Sequence, residues 1–347
     1  MDVGDFDFAL PPGSIAQRPA PRGTARLMVL DRRTGARQHR GVGELPELLL
    51  PGDVLVVNDT RVIPARLFAS TDEGKALELL VVSRQGERPG EELWECLAKP
   101  GRRARPGRRL RLANGLEAEV VAKTAAGRYL VAFPEGLLQR ALDELGSAPL
   151  PPYIHRPGGR ADARDRDDYQ TVFARVPGAI AAPTAGLHLT PELLARLQAR
   201  GVTVAPVTLH VGLGTFKPVK VPQVEEHVMD EERGEIAEET ARLVNAARAE
   251  GRRVVAVGST SVRSLEASAR AHGGRVAPGP FATALFLVPG AEFLVVDAML
   301  TNFHLPRSTL LMLVAAFAGR EHVLAAYREA VDGGYRFFSY GDAMLIV

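Results

Sequence analysis

Residues 52–61 read Gly52-Asp53-Val54-Leu55-Val56-Val57-Asn58-Asp59-Thr60-Arg61. The continuous apolar run followed by polar punctuation is the pattern of a buried strand that ends at Asn58. What comes next decides the fold. From 62 to 133 the chain changes character: short apolar segments at 65–68, 77–82, 93–97, 109–112, 116–121 and 129–133 are separated by Gly, Pro and charged turns, and helical periodicity is weak. Close spacing of short strands predicts a small antiparallel barrel, which removes exposed sheet edges by closure. The proline-stiffened linker Ala148-Pro149-Leu150-Pro151-Pro152-Tyr153 then marks a return to the first domain. From 171 onward helices and strands alternate, as in an α/β layer arrangement. The expected architecture is an α/β main domain, a mixed sheet with flanking helices, built from residues 1–61 and 149–347, with a β-barrel inserted at 62–148.

Within the α/β part the boundaries are marked by local chemistry. Thr190-Pro191-Glu192 supplies an N-cap, a proline at the first helical position and early negative charge, Leu193, Leu194 and Leu197 give the apolar face, and Gly201 ends the helix. A strand follows over 202–211, a helix over 238–250 and a strand over 253–257 that stops at Gly258. Residues 301–309, Thr301-Asn302-Phe303-His304-Leu305-Pro306-Arg307-Ser308-Thr309, sit between the apolar run Phe293-Leu294-Val295-Val296 and the helix signal Leu310-Leu311-Met312-Leu313-Val314. That reads as a strand end feeding a helix start. The same arrangement recurs at 182–191, 207–216 and 254–263. Loops at the carboxyl ends of strands in α/β sheets are where ligands sit, so four such junctions point to one shared site.

The 347 residues are 46% hydrophobic, ample for burial and long enough to favour two domains. Cys96, the lone cysteine, leaves no intrachain disulfide and no Cys-based zinc cluster. Met1-Asp2-Val3-Gly4-Asp5 lacks the basic and apolar regions of a signal peptide, and no uncharged apolar stretch approaches the ~20 residues needed to cross a bilayer. Cytoplasmic residence without membrane partners is the expectation. A net charge of +2 does not by itself predict a nucleic-acid partner. Locally, Arg102, Arg103, Arg105, Arg108 and Arg109 fall in a stretch without acidic residues, and guanidinium groups suit bidentate phosphate contact. A solvated turn and a phosphate-binding patch are both compatible with that run. The segment 156–168, beginning at Arg156 and crowded with Gly, Arg and Asp, reads as a surface loop or as a lid ordered by substrate.

Candidate chemistry gathers at the strand-end junctions. Gly258-Ser259-Thr260-Ser261-Val262-Arg263 places three hydroxyls and a guanidinium at a helix amino terminus, where open amides bind carboxylate or phosphate. Gly212-Leu213-Gly214 lacks the third glycine of a dinucleotide fingerprint. His188, His210 and His304 are suited to act as a base or donor near neutral pH, but their spacing is not that of a metal helix. No Gly-x-Ser-x-Gly elbow is present. The aromatic stretch from Tyr335 to Met344 either stacks on a purine or closes the core as a strand, with Tyr340 and Asp342 as its polar exceptions.

Taken together the chain resembles the S-adenosylmethionine:tRNA ribosyltransferase-isomerase family of queuosine biosynthesis. The resemblance runs through Leu50-Pro51-Gly52-Asp53, 58–65, 150–154, Tyr169-Gln170-Thr171-Val172, Ala182-Pro183-Thr184-Ala185-Gly186-Leu187-His188, 210–216, 259–266, 301–314 and 335–344. Local departures are Val288 before Pro289-Gly290, where the family often has an aromatic, and Phe173 and Leu189 in place of a frequent Tyr and Phe. The resemblance implies transfer of the ribosyl part of S-adenosylmethionine to a 7-aminomethyl-7-deazaguanine base in tRNA, giving epoxyqueuosine with release of adenine and methionine. It also implies a barrel inserted into an α/β domain.

On that basis S-adenosylmethionine is a substrate and no prosthetic group or metal is expected. His188 or His304, with Asp342, is placed at the proton step. Arg263 with Ser259 and Ser261 is placed at the methionine carboxylate, and Arg61 or Arg307 at substrate phosphate or ribose. Tyr169, Thr184, His210, Thr260, Asn302 and Tyr340 complete the expected substrate contacts. Arg102, Arg103, Arg105, Arg108, Arg109 and Arg156 are the expected tRNA contacts, the tRNA presenting its anticodon stem-loop to a monomeric enzyme. Two other classes remain open at this point: a non-catalytic RNA-binding module and a methyltransferase that would yield S-adenosylhomocysteine.

Overall fold

The computed structural model describes residues 1–157, 160–212, 214 and 219–347. The chain divides into one unit of Met1–Arg61, Pro152–Ile154 and Gln170–Val347 and a second of Val62–Pro151 and His155–Tyr169. Residues 155–169, which the sequence attaches to the α/β part, thus group with the barrel. In chain order, β1 (Arg26–Leu30), β2 (Arg37–Gly41), α1 (Leu45–Leu48), β3 (Val54–Asn58) and β4 (Thr60–Val62) lead to the second unit. That unit holds β5 (Arg66–Thr71), β6 (Ala76–Arg88), β7 (Glu91–Lys99), β8 (Arg109–Leu112), β9 (Glu117–Lys123), β10 (Tyr129–Pro134), α2 (Leu137–Leu145) and α3 (Asp165–Asp168). The first unit resumes with β11 (Val176–Ala179), α4 (Pro191–Ala199), β12 (Thr203–His210), β13 (Glu232–Ile236), α5 (Glu238–Ala249), β14 (Val254–Val257) and α6 (Gly258–Ala271). It ends with β15 (Gly279–Thr283), β16 (Ala298–Asn302), α7 (Thr309–Ala318), α8 (Arg320–Asp332) and β17 (Ala343–Ile346).

The first unit is built on a nine-stranded mixed sheet in the order β15-β13-β12-β3-β14-β16-β17-β1-β2. Its central strands are buried along their whole length because successive side chains enter two different cores. Val54 and Val56 of β3, with Val254 and Ala256 of β14, pack under α5 to α8 on one face. Leu55 and Val57, with Val255 and Val257, pack under α1, α4 and the turn Thr184–His188 on the other. Helix α4 starts where its cap residue predicts, Thr190 Oγ1 accepting from the Leu193 amide at 3.1 Å. Gly258 has φ +83°, a left-handed conformation that lets β14 turn directly into α6.

The second unit contains a closed six-stranded antiparallel barrel, β10-β7-β6-β5-β8-β9. Alternation fills it: Leu67 and Ala69, Leu77, Leu79 and Val81, Leu110 and Leu112, and Ala118 and Val120 are buried while their neighbours face outward. All six segments expected from the sequence are strands. Cys96 lies buried in the barrel, and burial pushes its thiol up.

One strand expectation is corrected. Residues 293–296 are not a strand, although their apolar run has that pattern; the strand is β16, five residues further on. The cause is a buried carboxylate: Glu266 of α6 accepts the amides of Leu294 (2.9 Å), Val295 (2.9 Å) and Val296 (3.0 Å), taking the place of a ladder. Of the two readings of the aromatic stretch, core filling is the one that Tyr335 and Phe337 follow, packing 5.3 and 5.2 Å from the Phe303 ring, but in a loop that precedes β17 and not in a closing strand. Among the described residues no single helix is long and apolar enough to cross a membrane.

Candidate active site

Strand direction determines which residues meet. β12, β3, β14 and β16 are mutually parallel in sequence, whereas β17, β1 and β13 oppose them. The carboxyl ends of the first four and the amino ends of the other three therefore share one edge of the sheet. Asn58 to Arg61, His210, Gly258 to Arg263, Asn302, Asp342 and Glu232 all fall on it. The expected crevice edge of an open α/β sheet is this one.

Asn302, the last residue of β16, is the hub of the first cluster. Its amide nitrogen donates to the Phe338 carbonyl at 3.2 Å, which identifies it as the donor, and also to His188 Nε2 at 3.1 Å. Neutral His188 consequently carries its proton on Nδ1. Thr184 Oγ1 donates to the other end of the amide, Oδ1, at 3.3 Å. Burial pushes the His188 imidazole down to about 4, the Asp342 charge pulls it back up and Arg336 opposes that. Asp342 itself is a staple: it accepts the Arg336 amide at 2.8 Å and the Arg26 amide at 3.2 Å, and pairs with the Arg336 guanidinium at 3.4 Å. The Phe173 ring covers Gly186, where an added Cβ would lie 2.7 Å from its Cζ. Tyr153, read from the sequence only as part of the linker, packs its ring 4.1 Å from Phe338 and shares a 2.6 Å hydrogen bond with Ser339, beside buried Tyr340.

A second cluster gathers where β3 ends. The Asn58 side chain continues the ladder beyond β3, accepting from the Leu209 and Thr60 amides and donating to the Leu209 carbonyl. Thr60 Oγ1 is thereby set 2.8 Å from His210 Nδ1. Burial lowers the His210 imidazole and Asp59 raises it. The ring stands against Gly178, whose missing side chain would meet it at 2.8 Å. Asp59 accepts from Thr208 Oγ1 at 2.6 Å and pairs with Arg175 at 2.8 Å. Arg61 is exposed beside this cluster.

Helix α6 supplies the third cluster. Arg263 and Glu232 are 3% and 5% exposed, with Nη1 2.5 Å from Oε2. Glu232 Oε1 accepts the Gly212 amide at 3.3 Å. Ser261 does not face them as expected: its hydroxyl donates to the Val257 carbonyl at 2.9 Å, the four-back bond open to any serine inside a helix. Ser259 and Thr260 are buried in the same turn.

Other expected site residues are engaged elsewhere. His304 Nε2 lies 2.9 Å from Thr301 Oγ1 and its amide donates to the Tyr327 hydroxyl at 3.0 Å, so the residue is tied to β16 and α8; burial pushes its ring down to about 3. Neither of these partners belongs to the His188 or Arg263 cluster. Arg307, with φ +57°, forms an ion pair with Asp7. In the second unit Tyr169 is buried, its amide on the Asp165 carbonyl. Arg156, expected to contact tRNA, is instead 5% exposed and held by three hydrogen bonds of 2.7 to 3.1 Å to fully buried Asp165. A desolvated carboxylate takes the bidentate guanidinium in its own loop.

The arginine run belongs to the second unit. Lys75, Arg102, Arg103, Arg105 and Arg108 line a concavity of about 240 Å³ together with Glu73. Arg102, Arg105 and Arg109 are exposed, whereas Arg108 pairs with Glu73 at 2.6 Å and Arg103 donates to the Ala76 carbonyl. The acidic partners come from the turn between β5 and β6, which the local sequence does not reveal. Among the described residues no set of three or more His, Cys, Asp or Glu side chains is arranged to hold a metal. Leu213, Thr215 and Phe216 of the 207–216 junction, residues 217 and 218 after it, and residues 158 and 159 of the 156–168 loop lie outside the described residues.

Sequence reasoning missed Glu232, Glu266 and Tyr153. Glu232 lies in Glu231-Glu232-Arg233-Gly234-Glu235, where nothing separates a buried carboxylate from a solvated one.

Comparison with known proteins agrees with this architecture. Residues 3–346 match the family model described as queuosine biosynthesis protein. A protein of Carboxydothermus hydrogenoformans is 53% identical and one of Heliobacterium modesticaldum 51% identical, each covering 100% of both chains, and both are named S-adenosylmethionine:tRNA ribosyltransferase-isomerase. The crystal structure of S-adenosylmethionine tRNA ribosyltransferase from Thermotoga maritima is 40% identical, with a TM-score of 0.56 over 99% of this chain and 100% of that one. The chain therefore belongs to the queuosine biosynthesis protein family, the enzyme family of the S-adenosylmethionine:tRNA ribosyltransferase-isomerases.

Proposed function

We propose that this chain transfers and isomerises the ribosyl moiety of S-adenosylmethionine onto a 7-aminomethyl-7-deazaguanine base in tRNA, giving epoxyqueuosine-tRNA and releasing adenine and methionine. The observation that carries the reading is the convergence of the His188, Thr60–His210 and Arg263 clusters on one sheet edge in a chain that matches its family over residues 3–346. S-adenosylmethionine is the donor substrate, and no prosthetic group is needed. Its sulfonium is already a good leaving group and acidifies the adjacent ribose C5′ hydrogens, so the protein supplies a base, anchors and dry geometry.

His188 is the proton acceptor in this scheme. Burial keeps it neutral at pH 7, and Asn302, itself held by Thr184, fixes its ring until the donor binds; the Nε2 lone pair then passes from the Asn302 amide to the C5′ proton, and the nearby Asp342 charge favours the imidazolium formed. His304 is assigned a positioning role, since it ties β16 to α8. Arg61, exposed beside Thr60, orients ribose or phosphate. In the barrel, taken as an inserted domain over residues 62–148, Lys75, Arg102, Arg105 and Arg109 hold the backbone of an anticodon stem-loop while the target base is unstacked. A cytoplasmic monomer completes the reading.

Product analysis with labelled S-adenosylmethionine and tRNA bearing the aminomethyl base tests it. Equimolar adenine and methionine, with label in the tRNA, are expected. S-adenosylhomocysteine would mean methyl transfer, and binding without turnover would mean a recognition module.

A further inference from the structure

The first turn of α6 and the start of β13 hold a group of buried polar atoms without hydrogen-bond partners among the described residues: Thr260 Oγ1, Arg263 Nε and Nη1, and Glu232 Oε2. Arg263 Nη1 and Glu232 Oε2 attract each other as an ion pair at 2.5 Å, but without the alignment of a hydrogen bond. Thr260 and Arg263, three residues apart, lie on the same side of the helix. Leaving a buried donor or acceptor unpaired costs about 1–3 kcal/mol, so such a cluster marks a place that a ligand completes.

Charge selects the ligand. A bare carboxylate or phosphate would compete with Glu232 for the guanidinium and leave a buried carboxylate unpaired, which is strongly unfavourable. A zwitterion matches both members of the pair. Its carboxylate can take Arg263 Nε and the Thr260 hydroxyl, and its ammonium can take Glu232 Oε2. Arg263 also borders a narrow depression where Thr309 joins Met229, Leu285, Phe286 and Leu313.

We propose that Glu232, Arg263 and Thr260 form the receptor for the α-amino-acid end of the sulfonium donor, with Arg263 and Thr260 binding the carboxylate and Glu232 the ammonium group. The assignment rests on S-adenosylmethionine being the donor.

Binding is measured by calorimetry for S-adenosylmethionine and for analogues lacking the carboxylate or lacking the amino group, with wild-type protein and with Glu232→Gln, Arg263→Met and Thr260→Val. In the wild type each deletion weakens binding by about a hundredfold, as expected for a site built around those groups. In Arg263→Met the penalty for the missing carboxylate disappears while that for the missing amine persists; in Glu232→Gln the pattern reverses. Ratios taken within one variant cancel any general loss of stability. Should both substitutions prevent folding, inhibition of the wild type by methionine, methioninol and 4-(methylthio)butanoate carries the test, and equal inhibition by all three overturns the proposal. Full discrimination retained in folded variants that still release adenine overturns the receptor alone. A wild type that binds no S-adenosylmethionine overturns the donor reading with it.

Discussion

Burial lowers His188 to about 4 and His304 to about 3, against 6.5 for a free imidazole. In both cases the unfolded chain binds the proton more readily, so stability rises with pH across the interval between the two values. The contribution is intact above 6.5 and is lost as pH falls toward the folded values. Between pH 7.5 and 5 each histidine should remove about 2 kcal/mol of unfolding free energy, read from denaturant titrations, and His304→Asn should flatten the slope if it folds. A pH-independent midpoint over that range would contradict the burial of both rings. Activity separates them. His188→Ala should lower the single-turnover rate by about 100- to 10,000-fold with donor affinity little changed, while the rate loss in His304→Ala should track loss of folded protein. Asn302→Leu leaves His188 Nε2, Thr184 and the Phe338 carbonyl without their shared partner, and should cost about 1–3 kcal/mol in stability as well as most of the rate.

Elements carry these residues to their places, and they are legible in the sequence where periodicity and caps agree. The six barrel strands and α4, with its Thr190 cap, follow from turns and spacing alone. The sheet edge is legible too, because a continuous apolar run such as 54–57 has to be central and its polar end has to emerge at the edge. Residues 293–296 mislead for a physical reason: apolar side chains announce burial, but whether their amides meet a neighbouring strand or a carboxylate is decided by Glu266, nearly thirty residues earlier. Ser261 and Arg156 mislead likewise, since their partners, a carbonyl one turn back and Asp165, leave no trace in residue type. Glu266 holds three amides and Arg270. Glu266→Ala should therefore destabilise the protein by about 3–5 kcal/mol, the range for removing one partner from a buried charged network, and a change under about 1 kcal/mol in equilibrium unfolding would contradict that role.

On the scale of the whole molecule, the proposed function has the barrel contribute charge and the α/β unit contribute chemistry. Reversing Arg102, Arg105 and Arg109 to Glu should weaken tRNA binding and flatten its dependence on salt, by roughly one unit of slope for each phosphate no longer neutralised, while leaving S-adenosylmethionine affinity unchanged. An unaltered slope would make the run a solvated turn. Neither the distribution of acidic partners around those arginines nor the pairing of Arg263 with Glu232 is readable from composition, because both depend on segments brought together by folding. The central claim is that separate strand ends build one donor site at a single sheet edge, and a crystal structure of the protein with S-adenosylmethionine tests it most directly. The account predicts the ribose within reach of His188 and the amino-acid end on Arg263 and Glu232; density for the donor away from that edge would contradict it.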